Sequence, residues 1–157
     1  MHSPEELASW RQALTQTWAD HVPLASAMGV EIRRLDNDLL QLAAPLERNR
    51  NHLGTAFGGS LQGLATLAGW GVTLLASGGP GACHVVVRES QMRFLAPVNG
   101  ELVAEAAMPS AAAVATFRMG LRERGRARLT VPVVVRGTGD APAARFIGEF
   151  VALAPEA

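Results

Sequence analysis

The sequence predicts an α+β fold in which a strongly curved antiparallel sheet wraps around one long helix. Two observations lead to this prediction. Residues 58–77 are apolar on every side at helical spacing, and a helix of that kind must be buried all round. The other segments after residue 30 read mostly as short strands separated by turn residues. A curved sheet is the arrangement that covers such a helix on most sides.

Before the central helix, residues 3–6 (SPEE) have the pattern of an N-cap, a first-turn proline and a capping box. A helix of roughly four turns should follow, because apolar residues recur at helical spacing. These residues are Leu7, Trp10, Leu14 and Trp18. Residues 21–29 predict a short turn of helix ending at glycine, and the Asp-Asn-Asp sequence at 36–38 predicts the turn of a β-hairpin.

After the central helix, the sequence SGGPG supplies helix stop signals. Four strands are predicted next, from HVVVRESQMRFLAP, GELVAEAAM, ARLTVPVVVR and ARFIGEFVAL. A short helix ending at Gly125 is predicted between the second and third of these strands. Pro132 cannot donate to a ladder, so we expect an edge or a bulge at that position.

The central helix also has the length of a membrane span, which needs about 20 apolar residues. Gln62, Thr66, Thr73 and three internal glycines weigh against that interpretation, and the usual interfacial anchors are missing. We therefore predict no membrane association.

Composition excludes several classes of function. All 14 basic residues are Arg, so no lysine is present for Schiff-base chemistry, and the chain has no Tyr to act as an acid or base. A net charge of zero argues against a nucleic-acid partner. Charged residues make up only 18%, which suggests a large buried surface that includes a subunit interface. The single Cys83 and a polar N-terminus predict a cytoplasmic protein.

The segment NHLGTAFGGSLQGLATLAGWG, residues 51–71, resembles the N-x-x-G-T-x-F-x-G-S segment of the YiiD C-terminal thioesterase family. MRFLAPVNGELVAEA, RGRARLTV and ARFIGEFVAL are similar to that family's later strands, so the likeness spans roughly residues 20–153. The resemblance implies a single hotdog domain over 1–157, with an N-terminal helix at 1–20 and a hotdog core at 30–153.

The same resemblance implies an acyl-CoA or acyl-carrier thioester as substrate, with no cofactor beyond the CoA of the substrate itself. Hotdog pockets form between subunits, so a homodimer or a dimer of dimers is implied. The family's chemistry leaves three functions open. They are a thioesterase, a non-catalytic acyl-CoA or lipid-binding module, and a dehydratase.

The start of the central helix is the predicted substrate site. Gly58 and Gly59 leave backbone N–H groups unpaired at the positive end of the helix dipole, which suits a carbonyl oxygen that gains charge. Ser60 is predicted to bind substrate there, although an N-cap role is an alternative. A tight turn is the alternative for the two glycines.

Three residues of the preceding loop are predicted to be catalytic. Asn51 would orient a water or the thioester, His52 would be a general base, and Thr55 would hydrogen-bond the carbonyl or water. The alternatives are a loop cap for Asn51, a solvent-facing side chain for His52 and an N-cap for Thr55. No Cys/His spacing indicates a metal site.

The helix departs from the phenylacetate-type hotdog thioesterases, which carry H-G-G at the helix start and an Asp nine residues after that His. Phe57 and Thr66 stand at these two positions. We predict that Thr66 faces the pocket and holds a water; the alternative is a bond to its own backbone. Glu89 and Arg93, on the next strand, are predicted to bind substrate, Glu89 in the partner's pocket.

A cluster of arginines near residue 124 could bind the phosphates of CoA, or could be a solvated helix end. It comprises Arg118, Arg122, Arg124, Arg126 and Arg128.

Overall fold

The computed structural model describes residues 1–156. The helices are α1 (Pro4–His21), α2 (Pro23–Met28), α3 (Gly58–Ser77) and α4 (Ala111–Arg124), with a 3₁₀ turn at Leu46–Arg48. The strands are β1 (Glu31–Leu35), β2 (Leu39–Ala44), β3 (His84–Phe94), β4 (Leu102–Ala107), β5 (Arg126–Arg136) and β6 (Pro142–Leu153).

All six strands form one antiparallel sheet in the order β1-β2-β4-β5-β6-β3. The sheet curves around α3, which packs against every strand from β2 to β6. This is the predicted hotdog arrangement, and the predicted α+β fold is therefore confirmed. Among residues 1–156, none of the helices combines the length and apolarity that crossing a membrane requires.

Two glycines on α3 allow the sheet to approach the helix closely. A Cβ added at Gly69 would lie 2.5 Å from the ring of Phe150 on β6. At Gly71 it would lie 2.7 Å from Leu40 Cδ2 on β2. Real Cβ atoms do not approach neighbours this closely, so the backbone-to-sheet distance depends on glycine at both positions.

The elements before α3 follow their local signals. The Ser3 hydroxyl accepts from the Glu6 amide and the Glu6 carboxylate accepts from the Ser3 amide, as a capping box requires. At 18 residues, α1 is about one turn longer than predicted. In the hairpin turn, Asp36 Oδ1 accepts from the Asp38 and Leu39 amides at 2.8 and 2.9 Å.

The expectation of an edge at Pro132 is confirmed at that position, although β5 as a whole lies inside the sheet. The physical reason is that its ladder with β4 runs only from Val133 to Arg136. At Pro132 the strand is paired with β6 alone, opposite Ile147. The missing N–H is therefore tolerated where one side of the strand has no neighbour.

The edge that matters for the site is β3. This strand of 11 residues pairs with β6 on one side, and no strand within residues 1–156 pairs with its other side. Of its residues only Val85 is buried, and Val86, Val87 and Phe94 are exposed apolar side chains. A long unpaired edge of this kind is a template for pairing with another strand.

Candidate functional site

The loop before α3 is anchored by the buried side chain of Asn49, which is 2% exposed. Its Nδ2 donates to the Met28 carbonyl at 2.8 Å and to the Pro45 carbonyl at 2.7 Å. The backbone carbonyl of Asn49 accepts from the backbone amide of Phe57 at 2.7 Å. Asn49 therefore ties the end of α2 and both ends of the loop to one point, just before the first residue of α3.

Asn51 organises the tip of the same loop. Its Oδ1 accepts from the amides of Leu53 and Thr55 at 2.8 and 3.2 Å, and its Nδ2 donates to Thr55 Oγ1 at 2.9 Å. The Asn51 amide also donates to the Thr55 carbonyl at 2.7 Å. The two predicted catalytic residues are therefore in contact with each other. Their side chains hold the turn, which leaves one hydrogen of Asn51 Nδ2 and, on Thr55 Oγ1, the hydroxyl hydrogen and one lone pair for another partner.

The start of α3 presents two amides without acceptors. Phe57 is the N-cap and supplies no side-chain bond, while the Ser60 and Leu61 amides donate back to its carbonyl. The amides of Gly58 and Gly59 donate to no group within residues 1–156. Ser60 lies in the first turn, so it is not the N-cap, and its hydroxyl is also free of such contacts.

An apolar surface cavity of about 410 Å³, shallow and open to solvent, adjoins Gly58. Its walls include Gly58, Leu61, Phe94 and Val98. The ring of Phe94 lies 3.4 Å from the place where a Cβ on Gly58 would be. The volume is within the range of small-molecule sites, and the lining suits the hydrocarbon part of an acyl group.

A polar stripe runs along α3 toward β3. Gln62 and Thr66 are four residues apart, and both are half-buried. The Thr66 hydroxyl donates to the Gln62 carbonyl at 2.8 Å, and Gln62 Nε2 lies 3.5 Å from Ser90 Oγ on β3. Thr66 thus forms the bond to its own helix backbone that was the alternative to holding a water. Only the lone pairs of its hydroxyl remain for a water.

The remaining predicted residues lie apart from this stripe. His52 is exposed at the loop tip and forms no polar contact with the described residues. Glu89 is exposed on β3 beside a bulge, opposite Glu149. Arg93 is exposed one residue before Phe94, and Arg145 of β6 lies directly opposite it. The roles predicted for these residues stay predictions.

The arginine cluster does not gather at this site. Arg118 Nε donates to the Ala76 carbonyl at 2.7 Å and so caps the end of α3. Arg124, Arg126 and Arg128 line a separate concavity of about 520 Å³. That concavity borders Val151, near the end of β6 remote from Phe94.

Sequence reasoning missed four residues of this region. They are Asn49, Gln62, Ser90 and Arg145. Asn49, Ser90 and Arg145 gave no signal, because each meets its partner from a distant part of the chain. The spacing of Gln62 and Thr66 on one helix face was available and would have found Gln62. Within residues 1–156, no three His, Cys, Asp or Glu side chains come together as metal ligands would.

The curved sheet around α3 places the chain among the hotdog proteins, a class in which the site rather than the fold decides the activity. The chain belongs to the YiiD_C family, described as "Putative thioesterase (yiiD_Cterm)", whose model matches residues 11–154. The predicted family is therefore confirmed.

Several solved structures are similar to this chain. A protein of unknown function from Chlorobaculum tepidum is 34% identical with a TM-score of 0.88, over 92% of this chain and 94% of that one. A "putative thioesterase" from Shewanella oneidensis is 25% identical with a TM-score of 0.79, over 93% and 99% of the two chains. A "Probable Thioesterase" from Pseudomonas aeruginosa, at 22% identity, TM-score 0.79 and 99% coverage of both chains, shares the fold.

Proposed function

We propose that this protein hydrolyses the thioester of an acyl-CoA or of an acyl group on a carrier protein. The observation that carries the proposal is the pair of free amides at Gly58 and Gly59 beside an apolar cavity of about 410 Å³. Membership of a family of thioesterases supports the same chemistry. The acyl group would occupy the cavity, and its carbonyl oxygen would face the two amides.

In this reaction the oxygen of a water attacks the carbonyl carbon, and negative charge develops on the carbonyl oxygen. The amides of Gly58 and Gly59 donate to that oxygen, and the positive end of the α3 dipole stabilises the same charge. The C–S bond then breaks, and the thiolate leaves and takes a proton. The products are a carboxylic acid and a free thiol.

The water needs acceptors to orient it and a base to take its proton. The hydroxyl of Ser60 is available to hold it beside these amides. Thr66 lies about 9 Å farther along α3, so the lone pairs of its Oγ1 would hold the same water from the α3 of a second subunit. We assign the role of base to His52, the titratable side chain of the loop that leads into α3.

This arrangement requires a homodimer, which is the assembly we propose. The exposed apolar residues of β3 and its unpaired edge support it. A location in the reducing cytoplasm agrees with Cys83 remaining a free thiol.

The test is free-thiol release from short, medium, long-chain and aryl acyl-CoAs by wild type, His52→Gln and Thr66→Val. His52→Gln should lower kcat about 100-fold. Thr66→Val should lower kcat about tenfold. His21→Gln, at an exposed histidine at the end of α1, is the matched control and should leave kcat unchanged.

The second candidate is a binding module that holds acyl-CoA without turnover. The specific observation in its favour is that α3 carries no carboxylate, with Thr66 bonded to its own helix. A folded dimer that binds acyl-CoA but releases no thiol from any substrate would establish this candidate and exclude the hydrolase.

A further inference from the structure

Two arginines face each other across the β3–β6 ladder. Arg93 and Arg145 are directly opposite in the register, and both are exposed. The neighbour of Arg145, Phe146, is buried against the core, so the pair lies on the outer face of the sheet. Like charges directly opposite in a sheet destabilise it, so this position has a physical cost.

No acid within residues 1–156 offsets that cost. The next residue across the sheet from Arg145 is Val134, and Glu105 follows on β4. Glu105 is already bound by Arg136 at 3.4 Å and by Gln41 at 3.0 Å.

Two residues back along each strand lie Gln91 and Ile147, which carry no charge. Farther along the same face, Arg88 and Arg128 both contact Glu149, at 2.8 and 3.6 Å. Glu149 is thus already used by two arginines, and Glu89, directly opposite it, lies four residues or about 13 Å along β3 from Arg93.

The arginine pair is adjacent to the proposed active site. Arg93 precedes Phe94, and the Phe94 ring both lines the apolar cavity and packs against Gly58. One strand therefore separates the two guanidinium groups from the acyl cavity. The strand ends at Phe94, so a flexible arm can pass around the end of β3.

We propose that Arg93 and Arg145 bind the phosphate of the phosphopantetheine arm that carries the acyl group. Guanidinium groups bind phosphate with two parallel hydrogen bonds, and a shared anion removes the repulsion between the two cations. Coenzyme A and acyl-carrier proteins both bear this phosphate at the end of the pantetheine chain. The inference rests on the proposed function, because it places the thioester end of the same arm at Gly58.

The arginine-lined concavity near Val151 fits this role less well. Val151 is six residues along β6 from Arg145, or about 20 Å at the usual rise of a strand. One of its arginines, Arg128, is also within 3.6 Å of the Glu149 carboxylate.

The experiment compares substrates that differ only in phosphate. An acyl group is offered on CoA, on phosphopantetheine and on pantetheine, to wild type, Arg93→Gln and Arg145→Gln. Each substitution should lower kcat/KM roughly 10- to 100-fold for the two phosphorylated substrates, through KM, and leave the pantetheine substrate unchanged. The control is Arg34→Gln, which makes the same change in net charge. Arg34 is exposed on β1 and is paired with Asp36.

Equal losses on all three substrates, or no loss on any, would overturn the proposal. The source of the phosphate is identified by measuring kcat/KM for the same acyl group on CoA and on a carrier protein. The carrier with the larger kcat/KM is the source. With either source, a decrease of at least tenfold in kcat/KM on Arg93→Gln supports phosphate binding by Arg93 and Arg145.

Two measurements keep the pair testable if no substrate is hydrolysed, in which case the proposed function itself has failed. Calorimetric titration with CoA should show a Kd at least tenfold weaker for Arg93→Gln, and an unchanged Kd overturns the proposal. Thermal unfolding without ligand should give Arg93→Gln a Tm no lower than that of wild type, since a repulsion has been removed. A lower Tm would assign Arg93 a structural role instead.

Discussion

Replacing Asn49 with alanine should destabilise the protein by about 3 kcal/mol. The substitution removes two hydrogen bonds from Nδ2, to the Met28 and Pro45 carbonyls at 2.8 and 2.7 Å. A neutral hydrogen bond contributes about 1 kcal/mol net, and a buried carbonyl left without a donor costs a further 1–3 kcal/mol, roughly. The loss is partly offset because the buried Asn49 Oδ1, which has no partner, disappears with the side chain.

Urea unfolding followed by tryptophan fluorescence measures this change in the free energy of unfolding. In thermal unfolding, Tm should fall by roughly 6–12 °C for a chain of this size. Asn51→Ala is the matched control, because it removes the same side chain from the same loop where Asn51 is half-exposed. Water can replace its bonds there, so about 1 kcal/mol is expected. A loss below about 1 kcal/mol for Asn49→Ala, or equal losses for the two variants, would refute the assignment of Asn49 as the anchor of the loop.

Two further predictions concern α3 and the thiol beyond it. Gly69→Ala should lower the free energy of unfolding by about 1–3 kcal/mol, because the new Cβ would lie 2.5 Å from the buried ring of Phe150. Gly63→Ala should leave it unchanged or raise it by up to about 1 kcal/mol, because the new Cβ would meet only the flexible thioether of Met28, at 3.3 Å. Urea titration of both variants decides this, and a larger cost at Gly63 would contradict it. Burial raises the pKa of the Cys83 thiol, so the folded protein holds less thiolate at pH 8 than the unfolded chain and should react more slowly with a disulfide reagent. Equal rates with and without denaturant would contradict that burial.

The helices could be predicted well because their signals are local. The Gly-Gly start and the SGG end of α3 gave its bounds, 58–77, and the capping box at Ser3 is formed as expected. The strand order was not accessible, because β3 pairs with a strand from the far end of the chain. Periodicity describes which face of a strand is buried, but it carries no information about which strand lies beside it.

The site was predictable to the level of the loop and the helix start, but not to the level of individual side chains. Asn51 and Thr66 each bond to a residue four positions away, Asn51 to Thr55 and Thr66 to Gln62. The sequence pattern does not distinguish a polar group held by such a neighbour from one available to a substrate. Asn49 is an unremarkable loop residue in the sequence, and only the folded chain places it in the core.

The position of β3 also has a consequence for synthesis of the chain. The most apolar helix and β3 leave the ribosome before β5 and β6 exist, although these two strands complete the cover of α3. The nascent protein must therefore carry an exposed apolar helix and an unpaired strand until β6 (Pro142–Leu153) is made. A chain terminated before Pro142 would lack the strand that joins β3 to the sheet, and it would offer both apolar surfaces to chaperones and to aggregation.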